Sequence, residues 1–368
     1  MEEYAVVLDA GTTSIKAGYS GEDSPRAVIH GSLEMSNDQR ITGIVERSVI
    51  ADMGKFQEAI EDILENELII SSKASKESTT VGVCMTMPLH AERAQREELA
   101  QILFEQVDAP SVCFANSSVM SLFASGRTTG MVLEVGGGTT QSVPVFEGFA
   151  LKHASITNLC AGMDVTRVFQ NSLAASGRQL DFRVCADIKE SMCYIEPDPA
   201  FKTSTAKSVY ELPDGTILEL PPSKCHMPGE VLFNPNIHGA RTSPLGDMRS
   251  EGGVHELAAR SIEMCDAELR DALAANIVLA GGATMMKGFC ERAARELAGA
   301  IKDAGGAQGV QVYPDGQGMQ RSRGYNAQRR FAAWTGASMF ASLPTYADIT
   351  ISKAEWEDNQ DIVHRKLI

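Results

Sequence analysis

Alternating apolar runs and polar turns divide the chain into strand and helix segments. The opening run "AVVLDA" predicts a strand and "SIKAGYS" a second one, so residues 5–20 predict a β-hairpin. The segment "DMGKFQEAIEDILENELII" has apolar residues at helical spacing, at Phe56, Ile60, Ile63 and Leu64. The strand "TTVGVCMTM" then precedes an amphipathic helix over "AERAQREELAQILFEQV". Strands that alternate with helices favour an α/β fold.

The same pattern continues along the chain. "SVCFAN" predicts a strand, and "SSVMSLFASG" predicts a short helix that Gly126 ends. Further helices are predicted near "GMDVTRVFQNSL", through "CADIKESMCYI", over 255–275 and in "MMKGFCERAARELAGAI". "ANIVLAGG" predicts a strand and a turn, whereas residues from about 221 to 253 predict a loop-rich stretch.

Two predicted hairpins resemble each other. "VVLDAGTTSIKAGYSG" and "MVLEVGGGTTQSVPVFEG" each place three apolar residues before an acid, then one residue, a glycine and a Thr-rich turn. The acids, Asp9 and Glu134, are 125 positions apart. This internal repeat predicts two related domains that each contribute one turn to a shared cleft.

The chemistry of these turns suits phosphate. Glycines let the backbone approach a ligand closely, and hydroxyl groups add hydrogen-bond donors. Lys16 could neutralise a phosphate, and Asp9 with Glu134 could hold a hydrated Mg²⁺. Either turn alone is as consistent with an ordinary hairpin, but the matching pair favours a phosphate clamp. A third turn, Gly281-Gly282 before a helix, suits a phosphate or nucleoside, or is simply a tight strand-to-helix connection.

Composition narrows the class of protein. The 368 residues predict two or three domains, and 43% hydrophobic with 22% charged residues are typical of a soluble globular protein. A net charge of -15 argues against nucleic acid or an anionic membrane as the main partner. There is no long apolar run, and "MEEYAVVLD" is acidic where a signal peptide is basic, so we expect a cytoplasmic protein.

Several alternative sites are disfavoured by the motifs. The eight cysteines contain no C-x-x-C pair and mostly have apolar neighbours, which argues against zinc sites and disulfide frameworks. The signatures of P-loop NTPases, dinucleotide dehydrogenases, nucleophile-elbow hydrolases and zincins are absent. The basic run "QRSRGYNAQRR" is not aromatic-rich and is better interpreted as a solvated loop with one nucleotide contact than as a nucleic-acid site.

A long series of segments resembles the actin family, within the actin, Hsp70 and sugar-kinase superfamily. The segments include "KAGYSGEDSPRAV", "LFASGRTTGMVLE", "AGMDVT", "DIKESMCY", "NIVLAGGATM", "WTGASMFASLPT" and "IVHRK". The C-terminal block is similar to the eukaryotic-type branch, although "DAGTTS" and "GGGTT" are similar to bacterial and chaperone relatives. A bacterially encoded member of that branch therefore stays open.

The resemblance implies an α/β actin-like ATPase fold of two related lobes, with a nucleotide cleft between them and a strongly reduced subdomain 2. Subdomain 1 would comprise 1–30, 44–124 and 332–368, and subdomain 2 only 31–43. Subdomain 3 would comprise 125–160 and 249–331, with subdomain 4 at 161–248. ATP or ADP with Mg²⁺, or with Ca²⁺ in its place, would occupy the cleft.

Family positions carry over residue by residue. The first phosphate loop would be Asp9, Gly11, Thr12, Thr13, Ser14 and Lys16, and the second Gly136, Gly137, Gly138 and Thr139. Other nucleotide-contacting positions would be Asp164, Lys189, Glu190, Gly281, Gly282, Met285, Met286 and Arg330. Asp9 and Glu134 would hold the metal through water. Met286 replaces an aromatic residue that actins usually place beside adenine, which implies softer stacking.

Three departures concern hydrolysis. Ser117, beside Asn116, stands where actins carry a water-positioning glutamine, and serine is shorter. Glu134 replaces the usual aspartate and Gln141 the usual histidine. Because orienting the attacking water is a large part of phosphoryl-transfer catalysis, we predict hydrolysis through Glu134 and Gln141, with Ser117 nearby, at a rate unlike that of conventional actin.

Other departures concern assembly. The chain between "PRAVI" and "IVERS" has almost no room for the loop that inserts into the next protomer in actins, whereas the loop between "LFNP" and "GGVHE" is longer. The cleft used by actin-binding proteins is similar at Phe123, Thr128, Phe149, Leu343 and Thr345, although these residues could equally serve subdomain packing. The expected partners are thus further copies of the chain and regulators at this cleft.

Three functions remain open on the sequence. The first is a cytoskeletal filament-forming ATPase whose nucleotide state sets subunit affinity. The second is a non-polymerising actin-related subunit of a larger complex, with ATP as a structural ligand. A small-molecule kinase or chaperone ATPase is disfavoured, because the actin-like C-terminal block is intact and no substrate-binding domain follows it.

Overall fold

Two mixed sheets, covered by helices, organise the chain. The computed structural model describes residues 4–31, 34–35, 41–68, 81–200, 207–236, 252–303, 309–314 and 323–366. The strands in chain order are β1 (Ala5–Ala10), β2 (Ser14–Tyr19), β3 (Ala27–His30), β4 (Glu34–Met35), β5 (Ile41–Thr42), β6 (Val45–Glu46), β7 (Val49–Ile50), β8 (Gly82–Met87), β9 (Ser111–Asn116), β10 (Gly130–Val135), β11 (Thr140–Phe146), β12 (Phe149–Ala150), β13 (Ile156–Asn158), β14 (Ser208–Glu211), β15 (Ile217–Leu220), β16 (Ile277–Ala280), β17 (Val312–Tyr313) and β18 (Ile351–Ser352).

Helices connect and cover these strands. The α-helices are α1 (Met53–Asp62), α2 (Arg93–Gln101), α3 (Ser117–Ala124), α4 (Gly162–Ala174), α5 (Phe182–Met192), α6 (Pro222–His226), α7 (Val254–Glu263), α8 (Ala267–Ala274), α9 (Phe289–Asp303), α10 (Arg323–Gln328), α11 (Ala332–Ala341), α12 (Tyr346–Ile349) and α13 (Lys353–Asp358). Shorter 3-10 turns cover Lys152–Ala154, Met227–Leu232, Gly282–Met285, Arg329–Phe331 and Gln360–His364, and π-helical turns cover Ile63–Glu67 and Ile102–Gln106.

The two sheets repeat one arrangement. In the first the strand order is β18-β9-β8-β1-β2-β3, and in the second it is β12-β11-β10-β16-β17, with β13 paired to β11. In each sheet a hairpin, β1–β2 or β10–β11, lies beside a parallel strand, β8 or β16. The predicted repeat of two hairpins is therefore confirmed, and the two domains are related in topology as well as in sequence.

Apolar periodicity explains how the helices cover the sheets. The predicted face of α1 is buried at Phe56 and Ile60, and the Asp52 side chain caps this helix by accepting from the Lys55 amide at 3.0 Å. One apolar cluster lies in each lobe, and a third joins the lobes. That third cluster contains Val7 of β1, Val132 of β10 and fully buried Trp334 of α11. The lobes thus share one packed layer.

Some predicted elements differ from the structure. The helix through "CADIKESMCYI" ends at Met192, because the amide of Tyr194 donates to Cys225 O and that of Ile195 to Lys287 O. Residues 222–232 are helical, not a loop as predicted. Pro222 occupies the first position of α6, where the amide hydrogen that proline lacks would have no partner within the helix. The predicted helix over 255–275 is divided into α7 and α8.

Some predictions lie outside the described residues. They concern most of the shortened segment 31–43, the long loop at 237–251 and the side chains of Arg321 and Arg323 in the basic run. The four subdomain boundaries stay a prediction. Across the described ranges, no helix combines the length and the apolar character needed to cross a bilayer.

Seven of the eight cysteines are buried, and Cys160 is partly exposed. The apolar neighbours of most of these residues in the sequence predicted this burial. Burial raises the pKa of the Cys193 thiol to about 12, with the nearby Cys225 contributing in the same direction. These thiols therefore fill the core as small apolar side chains.

Candidate functional site

The two hairpin turns lie against each other between the lobes. A Cβ atom added to Gly138 would collide with the Thr12 hydroxyl, and one added to Gly137 would collide with the Thr13 methyl group. Only glycine at these positions allows the turns to approach so closely. The structure therefore brings together the two predicted phosphate loops, one from each lobe.

Asp9 is held at the end of β1 by two neighbouring strands. Lys16 of β2 lies directly opposite Asp9 in the hairpin register and forms an ion pair with it at 3.1 Å. Thr86 of β8 donates its hydroxyl to Asp9 Oδ1 at 2.6 Å. Both ionic side chains are only slightly exposed. A cation and a hydroxyl donor thus fix the position of this carboxylate, one at each of its oxygens.

The first turn is closed by its own backbone. The Gly11 amide donates to Ser14 O at 3.0 Å, and Lys16 Nζ donates to the same carbonyl at 3.2 Å. Ser14 and Thr12 are buried, whereas Thr13 is exposed. The ammonium group of Lys16 therefore lies beside the turn, where it can meet an anion.

Glu134 occupies the corresponding place on β10 with different neighbours. It is paired in register with Gln141 of β11, and its Oε2 accepts from Ser118 at 3.2 Å and from Ser117 at 3.5 Å. Desolvation, and then the charge of Asp9, raise the pKa of Glu134 to about 7, although both serines and Lys16 oppose this shift. The two cleft carboxylates therefore differ in electrostatic environment although they are related in fold.

The predicted catalytic side chains lie close together. Gln141 is buried, and its Oε1 has no hydrogen-bond partner among the described residues. A buried amide oxygen without a partner costs free energy, so a ligand or water that donates to it would stabilise the site. Ser117 is buried and directs its hydroxyl to Glu134, as its short side chain allows.

A third element, the β6–β7 hairpin, bridges both turns and was not predicted from sequence. Its tip residues, Arg47 and Ser48, both have positive φ, at 48° and 67°. The Ser48 amide donates to Thr12 Oγ1 of the first turn at 3.2 Å. The Ser48 hydroxyl lies 2.7 Å from Thr139 Oγ1 of the second turn. This hairpin therefore contacts both lobes at the point where they meet.

Arg47 extends these contacts into the second lobe. Its guanidinium donates to Gly138 O at 2.8 Å, to Leu159 O, and to both carboxylate oxygens of Asp164 at 2.8 and 3.0 Å. Burial alone would lower the pKa of Arg47, but pairing with Asp164 outweighs it and raises the pKa above its ordinary value. Asp164, predicted to contact nucleotide, is thus engaged by Arg47 and by the Ala161 amide at 2.9 Å.

The third glycine turn follows β16, as predicted. The Gly281 amide donates to Arg329 O at 3.1 Å, and Gly282 has open space beside its Cα. Met285 is exposed, whereas Met286 is buried with its methyl end near Gly229. Of the two methionines, Met285 is therefore the one placed to meet a ligand from solvent.

Arg329 rather than Arg330 anchors this turn. Arg329 is buried and donates to Thr284 Oγ1 at 3.0 Å and to Thr284 O at 2.7 Å. Arg330, the predicted contact, is exposed and lies over the ring of Phe331 at 4.5 Å from its centroid. Two adjacent arginines offer the same sequence signal, and only their different burial distinguishes them.

Lys189 and Glu190 lie on α5 on the second lobe. Lys189 Nζ is 3.5 Å from Gly162 O and 4.0 Å from Glu190 Oε1, and burial lowers the pKa of Lys189. Glu190 is exposed. A largely buried lysine beside an exposed acid provides a donor and an acceptor for a polar ligand such as a nucleoside.

The donor set for a cation is small. Among the residues that the structure describes, no group of three or more histidine, cysteine, aspartate and glutamate side chains could hold a metal. Asp9 and Glu134 alone fit a hydrated Mg²⁺, because this ion keeps several waters and needs few protein ligands. The predicted metal role of the pair therefore stays a prediction that is compatible with the geometry.

The residues predicted to form a cleft for regulators are partly or largely exposed. Phe123 meets the ring of Phe340 edge to face at 6.5 Å. Phe149 is 77% exposed and Leu343 40% exposed. Phe149 at least is not used for packing between subdomains. Thr128 and Thr345 are exposed as well. Binding of regulators here stays a prediction.

Sequence reasoning missed the residues that support the site. Three of them form hydrogen bonds to the predicted site from separate segments of the chain. Thr86 bonds Asp9, Ser118 bonds Glu134, and Arg329 bonds Thr284 in the third glycine turn. A threonine that ends a strand beside the first turn was a weak signal for Thr86. Nothing in the sequence indicated the role of Arg47 and Ser48, because their turn lacks glycine and asparagine, the residues that most often adopt positive φ in hairpins.

Comparison with known proteins agrees with this architecture. The family model described as Actin matches residues 1–183 and 177–368. A protein of Neurospora crassa described as an "Actin-like protein" is 31% identical over 400 aligned residues, which cover 98% of this chain and 97% of that protein. Both matches extend over nearly the whole chain and include the hairpin turns and the lobes that carry them. The chain therefore belongs to the actin family.

Proposed function

We propose that this protein binds and hydrolyses Mg-ATP in the cleft between its lobes and assembles with itself into filaments. The observation that carries the proposal is the meeting of two matching hairpin turns, with Asp9 on one lobe and Glu134 on the other. Members of the actin family are typically ATPases, and membership supports a general actin-like function. ATP, Mg²⁺ and the filament are our inference.

The residues of the cleft fit a nucleotide. Exposed Thr13, the cation of Lys16 and the open side of Gly282 offer donors, charge and space. The buried Oε1 of Gln141, which has no partner among the residues that the structure describes, would gain from a donor supplied by a bound molecule or water. Bound Mg²⁺, or Ca²⁺ in its place, would neutralise phosphate charge, and Asp9 and Glu134 would hold its waters.

Glu134 and Gln141 are the residues best placed to orient the attacking water. They face each other in the register of β10 and β11 and lie immediately behind the second turn. Ser117 is directed to Glu134 rather than towards a ligand, so it does not take over the role of the glutamine that actins carry there. We therefore expect hydrolysis at a rate unlike that of conventional actin.

Assembly would use contacts other than the loop that the short segment 31–43 lacks. Head-to-tail contacts extend without closing, so one repeated interface is sufficient for a filament. We propose the four-subdomain division given above, regulators at the cleft around Phe123 and Leu343, and a cytoplasmic location. The eight unpaired cysteines support a reducing compartment.

A second function is favoured by a specific observation. The hydroxyl of Ser117 is already bonded to Glu134, and serine is shorter than the glutamine that actins carry at this position. A protein that binds ATP but hydrolyses it poorly would suit a structural role in a larger complex. In that case ATP would stabilise the joined lobes and no filament would form.

A concentration series separates the two functions. Purified protein is incubated with Mg-ATP, Mg-ADP or EDTA, and assembly is followed by light scattering and high-speed pelleting. Assembly above a threshold concentration that depends on nucleotide would support the filament. A protein that binds ATP yet stays monomeric at every concentration and salt tested would contradict the filament and support the structural subunit.

A further inference from the structure

The two cleft carboxylates have equivalent positions but receive different donors from their sheets. Asp9 is paired in register with Lys16 on β2 and with Thr86 on β8, and both bond to it. The positions paired with Glu134 are Gln141 on β11 and Ala280 on β16. Glu134 therefore has an amide where Asp9 has an ammonium group, and a methyl group where Asp9 has a hydroxyl.

The donors that Glu134 lacks in its sheet come from the first turn of α3. Ser118 donates its hydroxyl to Glu134 Oε2 at 3.2 Å, and the Ser117 hydroxyl is at the longer distance of 3.5 Å from the same atom. Ser118 is completely buried. Its hydroxyl thus reaches the carboxylate from the protein interior and is not available to a ligand in the cleft.

The position of Ser118 is fixed by the packing of α3. Asn116 caps this helix by accepting from the Val119 amide at 3.0 Å. A Cβ atom at Gly336 of α11 would collide with Met120 O, so the two helices are in backbone contact. A hydroxyl on such a helix has little freedom to follow the carboxylate if the carboxylate moves. The donor is fixed, and the carboxylate adapts to it.

We propose that Ser118 is a positioning residue for hydrolysis: it holds Oε2 of Glu134 so that the other oxygen, Oε1, accepts from the attacking water. The inference rests on the proposed ATP hydrolysis and adds a residue to it. An unheld glutamate side chain has three rotatable bonds, and each misplaced rotamer removes the acceptor from the water. Ser118 should therefore affect the chemical step and leave nucleotide binding unchanged.

The test compares substitutions of Ser118 with a matched substitution on the same helix. Ser118→Ala and Ser118→Cys remove the strong donor, whereas Ser118→Thr keeps it. Ser121→Ala is the control, because Ser121 is equally buried on α3 and its hydroxyl has no partner among the described residues. Single-turnover hydrolysis, equilibrium binding of Mg-ATP, and crystal structures of wild type and Ser118→Ala are measured.

We expect single-turnover hydrolysis to fall on the order of tenfold or more in Ser118→Ala and Ser118→Cys, with binding of Mg-ATP nearly unchanged. Ser118→Thr should recover most of the rate, and Ser121→Ala should keep the wild-type rate. The Glu134 side chain should adopt a different rotamer in the Ser118→Ala crystal. This structural result does not depend on activity.

Three outcomes overturn the inference, and they are distinguishable. If wild type hydrolyses ATP and Ser118→Ala does so at the same rate, or no more slowly than Ser121→Ala, Ser118 is not a positioning residue. If wild type binds ATP without hydrolysing it, the proposed function fails and the role of Ser118 fails with it. A loss of binding equal to the loss of rate would show that Ser118 only supports the fold.

Discussion

At Glu134, two effects penalise the charged form and two kinds of neighbour favour it. Burial and the charge of Asp9 raise the pKa to about 7, against the hydroxyls of Ser118 and Ser117 and the cation of Lys16. Both carboxylate oxygens of Asp9 are engaged, one by Lys16 and one by Thr86, whereas both serines bond the same oxygen of Glu134. This contrast supports the proposed orientation of water by Glu134 rather than by Asp9.

Replacing Glu134 with Gln tests this assignment. The amide has nearly the same shape but is a poorer acceptor, so we expect hydrolysis to fall by roughly a hundredfold or more. Binding of Mg-ATP should remain measurable by titration. Glu147→Gln at the far end of the same hairpin is the control, because this side chain is exposed. An unchanged ATPase rate in Glu134→Gln would remove Glu134 from the reaction.

Arg47 makes the largest set of contacts between the β6–β7 hairpin and the second lobe. Arg47→Ala leaves the Asp164 carboxylate and the Gly138 carbonyl without this donor. We expect a loss of about 2 kcal/mol in the free energy of unfolding, measured by urea denaturation. Arg47→Lys should recover little of it, because lysine cannot bond both oxygens of Asp164 in the same planar way.

The Lys207–Glu219 pair is the control for Arg47, since its partners are 2.9 Å apart but both are largely exposed. Lys207→Ala should lower the free energy of unfolding much less than Arg47→Ala does, because exposed ion pairs contribute little. A loss in Arg47→Ala no larger than in Lys207→Ala would show that the Arg47 contacts do not stabilise the joined lobes.

At the scale of elements, the strands and hairpins that carry the acids could be predicted, because each has its own periodicity and turn residues. The β6–β7 hairpin could not be predicted, since Arg47 and Ser48 adopt positive φ only through contacts with Thr12, Thr139 and Asp164. Helix α3 was predicted from its pattern. Its bond to Glu134 depends on how two distant segments pack, which no local pattern records.

Helix α7 makes stability depend on pH through His255. Its ring stacks on Phe233 at a centroid distance of 6.1 Å, and its Nδ1 is buried without a hydrogen-bond partner among the described residues. Burial lowers the pKa of His255; Glu256 and Glu296 oppose this effect, and Arg292 adds to it. Protonation of His255 is therefore less favourable in the folded protein than in the unfolded chain, where histidine titrates near pH 6.5.

The contribution of His255 to stability should consequently be complete above about pH 6.5 and fall as the pH decreases below it, by at most about 1.4 kcal/mol per pH unit for this single proton. Urea denaturation at several pH values measures the slope. His255→Phe should remove this contribution and so change the slope relative to wild type, whereas His153→Phe at an exposed position is the control and should leave the slope unchanged. A slope that is equal in wild type and His255→Phe would exclude His255 as its source.

At the scale of the whole molecule, the lobes are joined in two different ways. One is the apolar layer around Trp334, whose indole also donates to Val7 O at 3.0 Å. The other is the polar meeting of the two turns, which is closed by Ser48 and Arg47. The apolar layer needs no ligand. The polar contact lies where a nucleotide would bind, so it is the part that ligand binding should strengthen.

Gly138→Ala separates these two kinds of contact. The added methyl group would collide with the Thr12 hydroxyl and force the turns apart, but it lies outside the apolar layer. In wild type, ATP at a hundred times its dissociation constant should raise the free energy of unfolding by about 2.7 kcal/mol. Gly138→Ala should lose most of this increase at the same ATP concentration, because its affinity is lower. Gly299→Ala on α9, where a methyl group meets open space, should keep the increase. An equal increase in all three proteins would show that ATP does not bind between the two turns.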